Sequence, residues 1–240
     1  MLVASTEQIH VFSATDTPFE AAIRTPVVGS GKLSAVRFGA TDNSILVFSS
    51  MGLKLIMFDL STSTAIEVAN PKFYLPTSAS RTISIRPQTN HLALLTRVNG
   101  KDIISLHDPE NSQVQKSWNA DSVDAQALLW TPDGNWLVLW DAPAQGHRIL
   151  LYTADGQHFR TLGALDITRN EDTELAAGIR LCQTSPNSKW LAVGDHSRNV
   201  TLLHTSLWRP TMTLKHPSTI KPRDTLQVCR EYSPFQKIHC

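Results

Sequence analysis

The chain has 240 residues, with 22 Lys and Arg against 21 Asp and Glu, and only 18% of its residues are charged. A near-neutral balance with no basic stripe argues against nucleic acid as a partner, and no run approaches the ~20 apolar residues that a membrane span needs. Cys182, Cys229 and Cys240 form no CxxC pair and no even set, and "MLVASTEQIH" lacks the plan of a secretory signal, so the expectation is a soluble intracellular chain with reduced thiols.

Short apolar runs follow one another from the N-terminus. The first unit shows LVAS (2–5) and IHVFS (9–13). A second has LSAVRF before the turn GATDNS, then ILVFSS (45–50), LIMFD (55–59) and AIEVA. In the third, ISIRPQTNH leads to LALLT (92–96), ISLHD (104–108) and VQKSW. The fourth reads ALLWTPDGNW, WLVLW (136–140), ILLYT (149–153) and HFRTL. The fifth reads IRLCQTSPNSKW, WLAVG (190–194), VTLLH (200–204) and TMTLK. Phe12, Phe58, His107, Tyr152 and Leu203 occupy one column of this repeat, at spacings of 46, 49, 45 and 51 residues.

Each unit thus predicts four short strands joined by turns rich in Asp, Asn, Gly and Pro, the residues that close hairpins. A period of ~45 residues with four strands is the signature of a WD-type β-propeller blade. The second run is nearly all apolar and the last is polar, as expected when inner strands are covered on both faces and the outer edge is wet. The fold class is therefore all-β, with about five blades at 1–28, 33–71, 81–120, 125–162 and 178–217. Residues 218–240 read as the start of a further blade, "LQVCREY", or as a truncated tail. The first unit lacks its first strand, so the ring is expected to be incomplete and the chain a fragment or one that needs a partner. Only "NEDTELAAG" (170–178) has room for a turn or two of helix. Phe12, Phe58, His107, Tyr152, Leu203, Trp130, Trp136, Trp140 and Trp190 are expected in the blade core, because aromatics dominate packing.

The stretches LLWTPDGNWLVLWDAPAQGHRILLYTADGQHFRTL and SPNSKWLAVGDHSRNVTLLHTSLWRPTMTLKHP resemble the centrosomal WD-repeat protein eight family. The shared features are the W-x-P-D/N-G turn, the L-A/V-V-W-D strand, the I-L-L-Y-x-x-D-G run and the S-P-x-S-x-x-L-A-V-G strand. Trp208-Arg209 and His216-Pro217 add to them, and the match is clearest over 125–217 and weaker over 33–124. Members of that family are longer at both ends. The resemblance implies a non-enzymatic scaffold at the centrosome or spindle pole body in the cytoskeleton. It would act with a coiled-coil anchoring protein and, in fungal members, a minus-end-directed kinesin, tethering microtubule minus ends.

Loops between second and third strands share one face with the inter-blade segments, and rigidly held loops are where binding residues concentrate. Arg97, Lys101, His147, Arg148, His196 and Arg198 are the candidates there, as a mildly basic face for an acidic coiled coil; ordinary solvated hairpins are the plainer alternative. Phe73, Tyr74 and Leu75 in "NPKFYLPTSAS" either anchor a partner or tuck between blades. Asp166, Glu171, Asp172 and Glu174 lie on a long, acidic insertion. Trp208, in "SLWRP" on the opposite face, is either an interface residue or packs over the last hairpin.

Enzyme signatures are missing: no GxSxG, no HExxH and no metal-ligand spacing occur. "VGSGKL" (28–33) departs from a phosphate loop, with Pro26 where the first Gly belongs and Leu33 where Ser or Thr belongs. His107 and His204 fit structural hydrogen bonding better than metal ligation. No cofactor and no catalytic residue is assigned. The alternative functions are a degenerate-propeller translation initiation factor, a WD adaptor of a ubiquitin ligase, and a small-molecule binder or enzyme using a central channel.

Overall fold

Successive side chains of a strand point to opposite faces, so a strand apolar at every position is stable only between two layers. The computed structural model describes residues 2–4, 8–12, 21–24, 33–39, 41–49, 54–72, 81–163 and 178–215, and builds from them five antiparallel sheets in which each strand pairs with its sequence neighbour. The first sheet contains β1 (Leu2–Ala4), β2 (Gln8–Val11) and β3 (Ala21–Arg24). The second has β4 (Leu33–Phe38), β5 (Ser44–Ser49), β6 (Lys54–Asp59) and β7 (Thr64–Ala69). The third has β8 (Ile83–Ile85), β9 (Leu92–Val98), β10 (Lys101–His107) and β11 (Val114–Asn119). The fourth has β12 (Ala125–Trp130), β13 (Trp136–Asp141), β14 (Ile149–Thr153) and β15 (His158–Leu162). The fifth has β16 (Ile179–Thr184), β17 (Trp190–Asp195), β18 (Asn199–His204) and β19 (Arg209–Lys215). These are the blades of a β-propeller.

The core lies between sheets, not within them. On β13, Leu137 and Leu139 join Ala93, Leu95 and Ile104 of the third blade. The intervening Val138 and Trp140 join Leu191, Val193 and Leu203 of the fifth. The same alternation splits β14, with Leu150 and Tyr152 facing back and Ile149 and Leu151 facing forward. On β5, Leu46 and Phe48 face the third blade while Ile45 and Val47 face the first. Outermost strands carry little of this burden: β7 and β11 are mainly exposed and β19 almost entirely so.

Turn chemistry follows the sequence closely. Asn99 and Gly100 both adopt left-handed conformations, φ 51° and 78°, the requirement of a two-residue type I′ hairpin. At the third turn of the second and third blades, Asp59 accepts from the Ser61 and Thr62 amides and Asp108 from those of Glu110 and Asn111. These bonds hold both carboxyls below the ordinary range, led by the Ser61 hydroxyl at Asp59 and by the Glu110 amide at Asp108.

In the repeat column, Phe58, His107, Tyr152 and Leu203 are buried, as are Trp130 and Trp140. Three residues expected with them are only partly buried. Trp136 begins β13 at the rim and meets Phe159 and Trp208. Trp190 lies on the face of the fifth sheet turned away from the fourth, edge-on to His204. Phe12 lies just beyond β2, where its ring stacks at 6.2 Å on His10.

Tyr152 packs against Trp118 and His158, and its hydroxyl accepts from the Asp121 amide at 2.9 Å. Tyr152→Ala removes a buried ring at the seam of the third and fourth blades and is expected to cost about 3–5 kcal/mol in urea denaturation. A loss below about 1 kcal/mol would remove Tyr152 from the core. His107 is held by Ser105 Oγ on Nε2 and the Ser112 carbonyl on Nδ1, both at 2.9 Å. A carbonyl only accepts, so Nδ1 carries the proton and Nε2 accepts from the serine. Burial pushes the His107 pKa below its usual 6.5. The unfolded chain therefore takes up a proton that the folded chain resists, and stability falls as pH drops below 6.5. In His107→Phe, thermal melts across this range should lose that component; an unchanged pH slope would contradict the assignment.

Candidate interaction face

On one side of the blades the second hairpin turns meet the inter-blade segments, and a chain of charged side chains fills the junctions. Lys72 follows β7, and its amide donates to the Leu95 carbonyl at 2.7 Å. Its ammonium, 4% exposed, lies 2.6 Å from Asp102 Oδ1 and 2.8 Å from Asp124 Oδ1. Asp102, on β10, is fully enclosed and also accepts from Ser122 Oγ at 2.9 Å and the Ala125 amide at 2.6 Å. Arg97 closes the group, 2.6 Å from Asp124 and 3.5 Å from Asp102. One cluster thus ties the second-to-third linker, the third blade's hairpin and the entry to the fourth blade.

The motif shifts by one blade and recurs. Asp141, at the end of β13, receives Arg148 at 3.1 Å and the Val123 and Asp124 amides at 3.4 and 3.3 Å. Burial dominates its titration and pushes the carboxyl up, against the pull of those amides and of Arg148. Arg148 also donates to the Asp121 carbonyl at 2.8 Å. In the fifth blade the equivalent carboxylate is Asp195, which binds the Asn199 amide and side chain at 2.8 and 3.0 Å. His147 Nε2 approaches it to 3.7 Å from the fourth blade's hairpin. Burial pushes Asp195 up, but His147 and the Asn199 bonds outweigh it and hold the carboxyl below its ordinary range.

This geometry corrects the basic face expected from the loops. Arg97 and Arg148 are neutralised by Asp124 and Asp141, and His147 is buried beside Asp195. For Arg97 and His147 the acids, Asp124 and Asp195, come from other segments that folding brings near, whereas Asp141 opens the same hairpin that Arg148 closes. Lys101, His196 and Arg198 do stand exposed on this face. Val98 and Val123, half exposed, share it. Phe73, Tyr74 and Leu75 lie outside the described residues, as do Asp166, Glu171, Asp172 and Glu174.

On the opposite face, Trp208 is buried at 2% exposure, edge-on to Trp136 at 5.6 Å, and joins the core between the fourth and fifth blades. Its ring is therefore not a surface anchor. It holds φ 51°, a costly conformation for a bulky residue, which the packing of its ring across the seam offsets.

Sequence reading missed Lys72, Asp102, Asp124, Asp141 and Asp195. A signal existed for two of them: the apolar strands WLVLWD and WLAVGD each end in Asp, and a carboxylate closing an otherwise apolar strand needs a partner. Asp102, Asp124 and Asp141 are held by donors from neighbouring segments, and Asp195 by Asn199 of its own hairpin with His147 beside it, so the arrangement fixes loop positions. Among the described residues no group of three or more His, Cys, Asp or Glu is placed to hold a metal ion, and no helix is long and apolar enough to cross a membrane.

No family model matches the chain. It is 26% identical over 208 residues to the WD repeat-containing protein WRAP73 of Mus musculus, covering 86% of this chain and 42% of that protein. A WD repeat-containing protein of Schizosaccharomyces pombe is 23% identical over 139 residues, covering 57% of the chain and 27% of its own length. The chain thus spans less than half the length of these relatives. With the antiparallel blades, these likenesses define a WD-repeat β-propeller, the architecture of a protein-interaction scaffold.

Asp102→Asn would leave the Lys72 ammonium short of a buried counter-charge, and is expected to cost about 3–5 kcal/mol in urea denaturation. Lys101→Ala, one residue away but solvated, should change stability by less than about 0.5 kcal/mol. Equal effects of the two substitutions would refute the division between tied and free charges.

Proposed function

We propose that this chain is a non-enzymatic scaffold that helps anchor microtubule minus ends at a centrosome or spindle pole body. It would act with a coiled-coil anchoring protein and, in a fungal setting, a minus-end-directed kinesin. The observation that carries this reading is the run of family-like motifs over 125–217. They fall where the propeller uses them: TPDGNW forms the first turn of the fourth blade, WLVLWD and ILLYT its inner strands, and Trp208-Arg209 the last turn of the fifth. Likeness to WD repeat-containing proteins over most of the chain supports the scaffold part of the reading. On the loop face, Lys101, His196 and Arg198 are the proposed partner contacts, flanked by the half-exposed Val98 and Val123. The tied Arg97, His147 and Arg148 would shape the loops that present them.

Affinity capture of the protein, tagged at its own locus in dividing cells, tests the proposal by mass spectrometry. Recovery of a coiled-coil anchoring protein with γ-tubulin components or a minus-end kinesin is the expected result. Ribosomal small-subunit proteins, or no pole component, would overturn it.

A further inference from the structure

The turns between third and fourth strands, on the face opposite the loop hairpins, are built alike but filled differently. Each of the last four blades puts one residue there in the left-handed region: Ser63, Ser112, Gly156 and Trp208, at φ 55°, 57°, 78° and 51°. Three are small. A bulky residue at such a φ is an outlier, and a backbone outlier is a lead to function. The outer strands show a second exception. In the third, fourth and fifth blades a register shift leaves Gln115, Phe159 and Thr211 without a partner across the sheet, and bulges of this kind re-aim a side chain. Two of the three are polar and one is aromatic.

The two exceptions meet at one place. Trp136, at the start of β13, lies 4.8 Å from the Phe159 ring and 5.6 Å, edge-on, from Trp208. Two blades thus build one run of rings across the end of their shared seam. Burying Trp208 leaves its neighbour Leu207 outside, at 64% exposure, and Phe159 is 54% exposed. Both sheets that border this patch are in place. Phe159 belongs to an outermost strand and Leu207 to the tip of a turn, so neither stands where a further blade would pack. The described chain leaves the fourth blade at Gly163 and enters the fifth at Gly178, on the other face, where Gly178 abuts the Pro143 backbone of the loop hairpin.

Charge indicates what would cover the patch. Lys189 and Arg209 border the turn that carries Leu207: the Lys189 carbonyl accepts from the Thr205 amide at 3.0 Å, and Arg209 pairs with His204 across the sheet. Both are exposed, and neither has a carboxylate partner among the described residues. Across the seam, the Asp133 amide donates to Ser188 Oγ at 2.8 Å, while its carboxylate is engaged within its own turn by Thr131 Oγ1 and the Asn135 side chain. Exposed apolar surface beside unmatched positive charge fits a segment with a bulky apolar side chain next to a carboxylate. A second copy of this chain would set two such basic rims against each other.

We infer that the rim formed by Phe159, Trp136 and Leu207 between the fourth and fifth blades is a docking site for a short acidic segment of a partner protein, anchored by one bulky apolar side chain, with its carboxylates on Lys189 and Arg209. It lies on the face opposite Lys101, His196 and Arg198 and does not rest on the function proposed for them.

Random short peptides displayed on phage and selected on the whole 240-residue chain supply the probe. Enriched peptides should carry Leu, Phe or Trp beside Asp or Glu. In fluorescence anisotropy they should lose at least about tenfold in affinity on Leu207→Ser and, separately, on Phe159→Ser. Lys189→Glu combined with Arg209→Glu should cause a loss of similar size at low salt, and salt should weaken binding to the parent chain. All four positions are exposed, and melting temperatures equal to the parent's show that the fold persists. No enrichment, enriched peptides without an acidic residue, or indifference to Leu207→Ser would each overturn the inference. So would self-association that Leu207→Ser abolishes, since a second copy would then be the occupant.

Discussion

A strand with apolar side chains on both faces has to be covered on both faces, and this requirement organises the molecule. β5, β9 and β13 satisfy it by lying between neighbouring blades, with alternate residues given to alternate seams. No blade has a core of its own. Leu137 is stabilised by the blade before it and Val138 by the blade after it, so neither seam forms fully unless the register of β13 is right. A slip of one residue would exchange the two sets, which is why the alternation specifies register so strongly. The outer strands are released from this demand, and β11 and β19 are correspondingly polar or exposed.

Charged groups at the junctions take up a second task. Apolar seams are non-directional and leave the rotation of one blade against the next weakly defined. Lys72, Asp102, Asp124 and Arg97 supply direction, because each of the two carboxylates is met by donors from different segments. Enclosing such groups is costly, and a buried ion pair is poor evidence for extra stability. What the cluster provides here is a fixed position for the linkers that emerge between blades. Loops held this way can present a few exposed residues with little loss of freedom on binding.

Much of this was legible in the sequence, and for a physical reason. Strand and turn signals are local: Asn99-Gly100 needs only its own backbone to specify a turn, and TPDGNW closes on itself through Thr131 and Trp136. Aligning the units in columns therefore recovered the strands. Reading by column is blind to contacts between columns, however. Arg97 looks free because Asp124 belongs to another loop, and His147 looks like a surface residue because Asp195 is a blade away. Trp208 reads in the sequence as either an interface residue or a ring packed over its hairpin, and only Trp136 of the neighbouring sheet decides that it is buried in the seam.

Cys182 sits in the middle of the seam between the fourth and fifth blades, with Val138, Leu151 and Leu203 in the same cluster. Burial raises the pKa of its thiol and suppresses the reactive thiolate. Any reagent that modifies this sulfur must wait until the two sheets part. The rate of its alkylation is thus a clock for seam opening, written into the protein without a label, and it times the contact on which the fifth blade's place in the stack depends.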